Sequence, residues 1–180
     1  QESLAVPEIS PDGRKVAYTS NGRLYIRDLG QSDPVEVADS SDVSRIFWSP
    51  DSKWAGYATR NEIPKTSADG APSRTGCKTS SAVQGAAWTD TWEARGVIVF
   101  AINAGGIFRV PAEGGEPLRI LDGSVTKTYD FHEIVFVDRG EDFVTWTHKD
   151  GNRNLPGTLI RVSRRGQTRT AVSAPMNKVT

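Results

Sequence analysis

The chain has 180 residues, 37% of them hydrophobic, which is long and apolar enough for a sizeable core and excludes both a disordered tether and a disulfide-stapled miniprotein. Lys plus Arg number 22 and Asp plus Glu number 22, so no net field gathers nucleic acid or anionic membrane, and neither is expected as a partner. Cys77 is the only cysteine, which rules out an internal disulfide, a cysteine zinc cluster and a dithiol redox pair while leaving cytoplasm and periplasm both open. No window approaches 18 apolar residues, and the start at Gln1, without methionine or a basic, apolar leader, reads as a processed or excised piece.

A strand near Leu4 to Ile9 runs into Ser10-Pro11-Asp12-Gly13-Arg14-Lys15. Proline presets φ there, aspartate accepts bonds from the following amides, and glycine tolerates the left-handed region, so the segment is a turn. The alternating Val16-Ala17-Tyr18-Thr19 follows, then Leu24 to Leu29 after Asn21-Gly22, a pair suited to the positive φ of a tight hairpin. A short polar strand near Pro34 to Ala38 completes the unit. The same order returns as Val43 to Trp48, the turn Ser49-Pro50-Asp51-Ser52-Lys53, Trp54 to Ala58, Glu62 to Thr66 and Ser73 to Gly76, with Asp51 39 residues after Asp12.

A degraded third copy runs Gly85 to Trp88, Trp88-Thr89-Asp90 (again a step of 39), Val97 to Phe100, Ile107 to Val110 behind Gly105-Gly106, and Pro117 to Leu121. The fourth has His132 to Val137, the turn Asp138-Arg139-Gly140-Glu141 after a step of 48, Phe143 to Trp146, Thr158 to Val162 and Thr168 to Val172. All these runs are short, rich in β-branched and aromatic residues, and without helical period, so they read as strands. Residues 59 to 84 and 147 to 157 are the main irregularities, the second holding a solvated hairpin loop at Lys149 to Asn154. Ala171 to Thr180, with no clear alternation after Val172, reads as a tail or a linker.

Four antiparallel strands recurring about every 40 residues are the pattern of a β-propeller. The expected fold is therefore all-β, one propeller domain over 1 to 180 with four four-stranded blades at 1 to 39, 40 to 82, 83 to 125 and 126 to 180. Trp48, Trp88, Phe47 and Phe136 precede the turns and are expected to fill the seams between sheets. Trp54, Trp92 and Trp146 are less constrained, and Trp92, in the non-alternating Thr91-Trp92-Glu93-Ala94-Arg95, stands open to partial exposure.

Nucleophilic catalysis needs a base, and only His132 and His148 offer an imidazole; no Gly-x-Ser-x-Gly elbow presents a serine. Cys77 lies in Arg74-Thr75-Gly76-Cys77-Lys78, where basic neighbours could lower its pKa, but spacing supports no histidine partner. The two histidines, 16 residues apart on different strands, form no metal-ligand pattern. Asp39-Ser40-Ser41-Asp42 and Asp138-Arg139-Gly140-Glu141-Asp142 lack the ligand alternation of a calcium loop, and Gly105-Gly106 and Gly114-Gly115 precede no phosphate-cradling helix. Four arginines between Arg161 and Arg169 could dock an acidic partner or nucleic acid, yet Arg164-Arg165-Gly166 falls at a hairpin turn with solvent beside it. The expectation is no catalytic, cofactor-binding or metal-binding residue, and no enzyme.

Ile9-Ser10-Pro11-Asp12-Gly13-Arg14-Lys15-Val16-Ala17-Tyr18 and Trp48-Ser49-Pro50-Asp51-Ser52-Lys53 resemble the WD40-like Pro-Asp repeat of TolB-type β-propellers. Gly106-Ile107-Phe108-Arg109-Val110-Pro111-Ala112-Glu113-Gly114-Gly115-Glu116-Pro117 is similar to the propeller modules attached, outside the membrane, to bacterial serine/threonine kinases and related sensor proteins. Similar modules precede the catalytic domain in prolyl oligopeptidase-type and tricorn-like peptidases and in some amidohydrolases. The resemblance covers nearly the whole chain, most strongly 4 to 58 and 96 to 121.

It implies a noncatalytic binding or scaffolding module for a protein, peptide or small ligand, the sensor part of a larger bacterial protein, with a periplasmic or extracytoplasmic location and the cytoplasm still open. The alternative is the substrate-gating propeller portion of a serine peptidase or amidohydrolase whose catalytic domain lies elsewhere. Such propellers usually close roughly six to eight blades. Four blades then mean by default a portion of a larger ring or two copies associating into a ring of eight, a closed ring of four needing strong wedge-like twisting.

Overall fold

The computed structural model describes residues 5–93, 96–102, 105–123, 131–148 and 157–176. Within them sixteen strands form four separate antiparallel sheets of four, each taking its strands in consecutive order. Sheet I holds β1 (Glu8–Ile9), β2 (Lys15–Ser20), β3 (Arg23–Asp28) and β4 (Val35–Glu36). Sheet II holds β5 (Arg45–Trp48), β6 (Trp54–Ala58), β7 (Glu62–Ser67) and β8 (Arg74–Lys78). Sheet III holds β9 (Val83–Thr89), β10 (Val97–Ile102), β11 (Gly106–Pro111) and β12 (Leu118–Leu121). Sheet IV holds β13 (Phe131–Val137), β14 (Asp142–His148), β15 (Gly157–Ser163) and β16 (Thr168–Met176).

Local chemistry sets the turns. Asn21 and Gly22 adopt φ of 52° and 75°, and Ser20 pairs with Arg23 across them, so the β2–β3 loop has two residues in the left-handed region that follows a twisted hairpin. In the Pro-Asp turn, the Ser10 hydroxyl donates to Asp12 (2.6 Å) while accepting the Lys15 amide (2.9 Å), and Asp12 accepts the Arg14 amide (3.1 Å). Sheet II repeats the set bond for bond through Ser49, Asp51, Lys53 and Trp54. The Ser10 hydroxyl and Arg14 amide hold the Asp12 carboxyl below the usual range.

Burial gives the order of the sheets. Alternate residues of β10 face opposite ways: Ile98, Phe100 and Ile102 pack with Phe47, Ile63 and Cys77 of sheet II, while Val97, Val99 and Ala101 pack with Phe131, Phe143 and Val162 of sheet IV. A strand sandwiched in this way is buried at every position, and β10 is. Sheet I buries Ala17, Leu24 and Ile26 against Ile46, Trp48 and Tyr57 of sheet II, and β14 of sheet IV alternates buried with half-buried residues. Among the described residues, sheets II and III are thus covered on both faces and sheets I and IV on one. The first strands β1, β5, β9 and β13 lie side by side along the inner edge.

Two expectations are corrected. Trp92 is only 8% exposed: its ring sits 5.6 Å from Phe136 and 6.1 Å from Phe143, and its indole N–H donates to the Glu141 carbonyl at 3.0 Å. Alternation lapses around it because the residue belongs to the seam rather than to a strand. The chain after Val172 is no tail up to Met176, since β16 continues there and Gly157 pairs with Met176; Pro175 is tolerated in that edge strand. The hairpin loop at Lys149 to Asn154 and residues 177–180 lie outside the described residues.

Candidate binding groove

The inner edge forms an open groove of about 460 Å³ whose lining comes from all four sheets. Val6, Glu8 and Ile9 supply one wall, Arg45 to Trp48 and Ala86 to Trp88 the floor, and Glu133 to Phe136 the opposite wall. Three of its aliphatic side chains stand free: Val6 is 72% exposed, Ile9 63% and Val135 55%. Trp48 underpins the first wall, its indole N–H donating to the Glu8 carbonyl at 3.1 Å. Arg45 turns its guanidinium to the backbone, with Nε donating to the Gln84 carbonyl at 2.9 Å and a terminal nitrogen to the Ser44 carbonyl at 2.7 Å.

Glu133 stands on a β-bulge. The β13–β14 register slips between His132 and Ile134, leaving Glu133 as the extra residue with φ of 46°, a region that non-glycine residues enter rarely. Gly85 on β9 makes room for it, because a Cβ there would lie 2.5 Å from the Glu133 amide nitrogen. Across the groove, partial burial and then the negative charge of Glu133 push the Glu8 carboxyl above its usual range.

Residues weighed from sequence fall elsewhere. Cys77 is buried in the II–III seam, and desolvation, with Glu116 adding to it, pushes its thiol up to about 11, the opposite of activation by Arg74 and Lys78. Asp138 and Asp142 and the nearby arginines satisfy one another: Arg161 donates to Asp142 at 2.6 Å and to Asp138 at 2.9 Å, and Arg164 lies 3.9 Å from Glu141. In the Asp39 to Asp42 turn, Ser40 accepts the Leu24 amide and donates to the Val37 carbonyl, which makes it a structural clamp. Gly115 donates its amide to the Gly76 carbonyl at 3.0 Å, tying sheet III to sheet II.

The structure also joins residues that spacing kept apart. His132 and His148 meet across the β13–β14 hairpin with ring centroids 5.2 Å apart, and the Trp146 indole N–H donates to His148 Nε2 at 3.3 Å. Lys65 drew no attention in sequence, yet it is buried, with Nζ donating to the Ala112 carbonyl at 2.6 Å, pairing with Glu113 at 3.2 Å, and lying 4.9 Å from the Trp54 ring centre and 5.7 Å from that of Trp88. It staples sheets II and III. A charged residue inside the strand Glu62-Ile63-Pro64-Lys65-Thr66 was the only signal. Among the described residues no three His, Cys, Asp or Glu side chains gather to hold a metal ion.

Solved structures share this arrangement of four-stranded sheets around an inner edge. The hydrazine synthase of Kuenenia stuttgartiensis superposes with a TM-score of 0.73 at 12% identity, over 93% of this chain and 48% of that one. The Cps50 (Swd1) β-propeller domain of Myceliophteria thermophila does so with 0.68 at 14% identity, over 97% and 57%. The fold is a β-propeller. The propeller chain likewise matches the tricorn protease, with a TM-score of 0.67 at 11% identity over 93% of this chain and 17% of that one. At these identities the likeness is one of fold, and the propeller described here spans about half of the first two chains and less of the third. No family model matches the sequence, and no curated protein matches it.

Proposed function

We propose that the chain is a noncatalytic binding module that takes its ligand in the inner-edge groove. The observation that carries this reading is the groove itself: about 460 Å³, built from the first strand or its flank in all four blades, with exposed Val6, Ile9 and Val135 beside the carboxylates of Glu8 and Glu133. Concave sites that combine apolar walls with a few placed polar groups are where ligands bind. The buried, unactivated Cys77 thiol and the mutual pairing of the acidic turn with Arg161 support binding over chemistry.

The test is selection of peptides from a displayed random library on the immobilised chain, with Val135→Arg as the discriminating variant. Val135 is exposed, so the substitution fills the groove without touching the core. Peptides bound by the parent and lost on V135R support the reading. Peptides that bind V135R equally, or that the chain converts to products, overturn it.

The one-sided flanks of blades I and IV support completion of the ring by further blades of the same fold. Light scattering on a dilution series reads this directly: a stable mass near twice 19.6 kDa means that a second copy supplies them, and a mass equal to 19.6 kDa means that they come from elsewhere in the polypeptide or from another chain.

A further inference from the structure

Resting on the groove as the binding site, we infer that its ligand presents a cationic side chain, a lysine or arginine projected by a partner protein, seated between Glu8 and Glu133. Three features of the groove converge on that occupant. The two carboxylates come from the first and fourth blades and line one space, and the charge of Glu133 is felt at Glu8. Arg45, the only cation among the described residues lining the groove, spends its guanidinium on the Gln84 and Ser44 carbonyls and so leaves the acidic pair uncompensated by the wall itself. The exposed aliphatic faces of Val6, Ile9 and Val135 flank the pair, and they suit the methylene stem of a long cationic side chain whose head reaches the carboxylates.

The local backbone is shaped to keep this arrangement. Glu133 holds a left-handed φ of 46° in a bulge, and Gly85 opposite it lacks the side chain that would prevent the approach. Bulges re-aim side chains, and a strained residue kept in a groove is a mark of function. A metal ion is a poorer occupant, since no third ligand of the acid, histidine or cysteine type joins the pair among the described residues.

The experiment is a two-dimensional NMR titration that follows the indole N–H signals of Trp48, which donates to the Glu8 carbonyl, and of Trp88 on the groove floor. The probes are acetyl-Val-Lys-Val-amide and its uncharged analogue with norleucine in place of lysine. The lysine peptide is expected to move both signals and to bind at least about fivefold more tightly than the norleucine peptide in low salt, with the difference shrinking in high salt as screening sets in. Glu133→Gln and Glu8→Gln, made separately so that a folding defect in one leaves the other readable, should each remove most of that preference while the rest of the spectrum stays in place. Equal binding of the two peptides at these signals overturns the cationic occupant and leaves the groove as the binding site. If neither peptide moves the signals, the inference also falls, and V135R on library-selected peptides then decides the groove separately.

Discussion

Blades I and II close their first turns on themselves, whereas blades III and IV close theirs on each other. In the first pair, a serine two residues before the aspartate ties the turn internally, at Ser10 with Asp12 and at Ser49 with Asp51, and a single bond from the Asp12 amide to the Ser52 hydroxyl links the two turns. In the second pair the serine and proline are gone. Thr91 donates to the Arg139 carbonyl at 2.9 Å and Trp92 to the Glu141 carbonyl at 3.0 Å, so the same corner is held by bonds that cross from one blade to the next. A repeat thus fades in sequence where closure passes from local to cross-blade contacts, while the geometry of the blade persists.

Trp92→Ala strikes the cross-blade closure of blades III and IV most directly. It removes a buried indole packed on Phe136 and Phe143 together with a cross-blade bond, and the expected loss is about 3–5 kcal/mol, read as a lower urea midpoint at unchanged slope. Gly85→Ala comes next. Its methyl group meets the Glu133 backbone, and the overpacking should cost about 1–3 kcal/mol by the same measurement.

Ser10→Ala probes the locally closed pair and should cost about 1 kcal/mol, because it removes a buried hydroxyl that serves both a carboxylate and an amide. It also carries a pH signature. Folding holds the Asp12 carboxyl below its free value, so its contribution is present above the unfolded pKa of roughly 3.9 and is lost as pH falls through the folded one. In S10A the carboxyl should titrate closer to the free value, and acid unfolding should begin at higher pH. Carbon-detected NMR of Asp12 reads the first and circular dichroism the second. The smallest effect belongs to Glu133→Gly, which relieves a left-handed φ and should leave stability unchanged or raise it by up to about 1 kcal/mol while weakening the lysine peptide. A clear loss of stability in that variant would mean that the Glu133 side chain supports the fold.

The fold was legible because its signals are local. Asn21-Gly22, Ser10-Pro11-Asp12 and the alternation after each turn fix strand boundaries within a few residues, and the step from Asp12 to Asp51 to Asp90 fixes the repeat. What stayed hidden depends on contacts distant in the chain. Trp92 looked displaced because its partners lie on β13 and β14, some fifty residues away. Lys65 is buried by Trp54, Trp88 and Ala112, which no spacing rule brings together. The groove itself was invisible for the same reason: Glu8 and Glu133 become neighbours only through the stacking of four sheets, and the bulge that presents Glu133 comes from one extra residue in a strand that otherwise alternates.

The contiguity of each sheet reaches back to synthesis. Every blade takes its four strands from one uninterrupted stretch in order, so no sheet waits for a strand made later. At about 5–20 residues per second, a blade of some forty residues leaves the ribosome whole within roughly 2–8 s of its predecessor. Blade I can pair its hairpins before blade II exists, and its apolar face then serves as the template on which blade II condenses. Growth by accretion of this kind places the seam that awaits the next blade always at the growing end, and it makes the blade the natural unit for lengthening the chain by duplication.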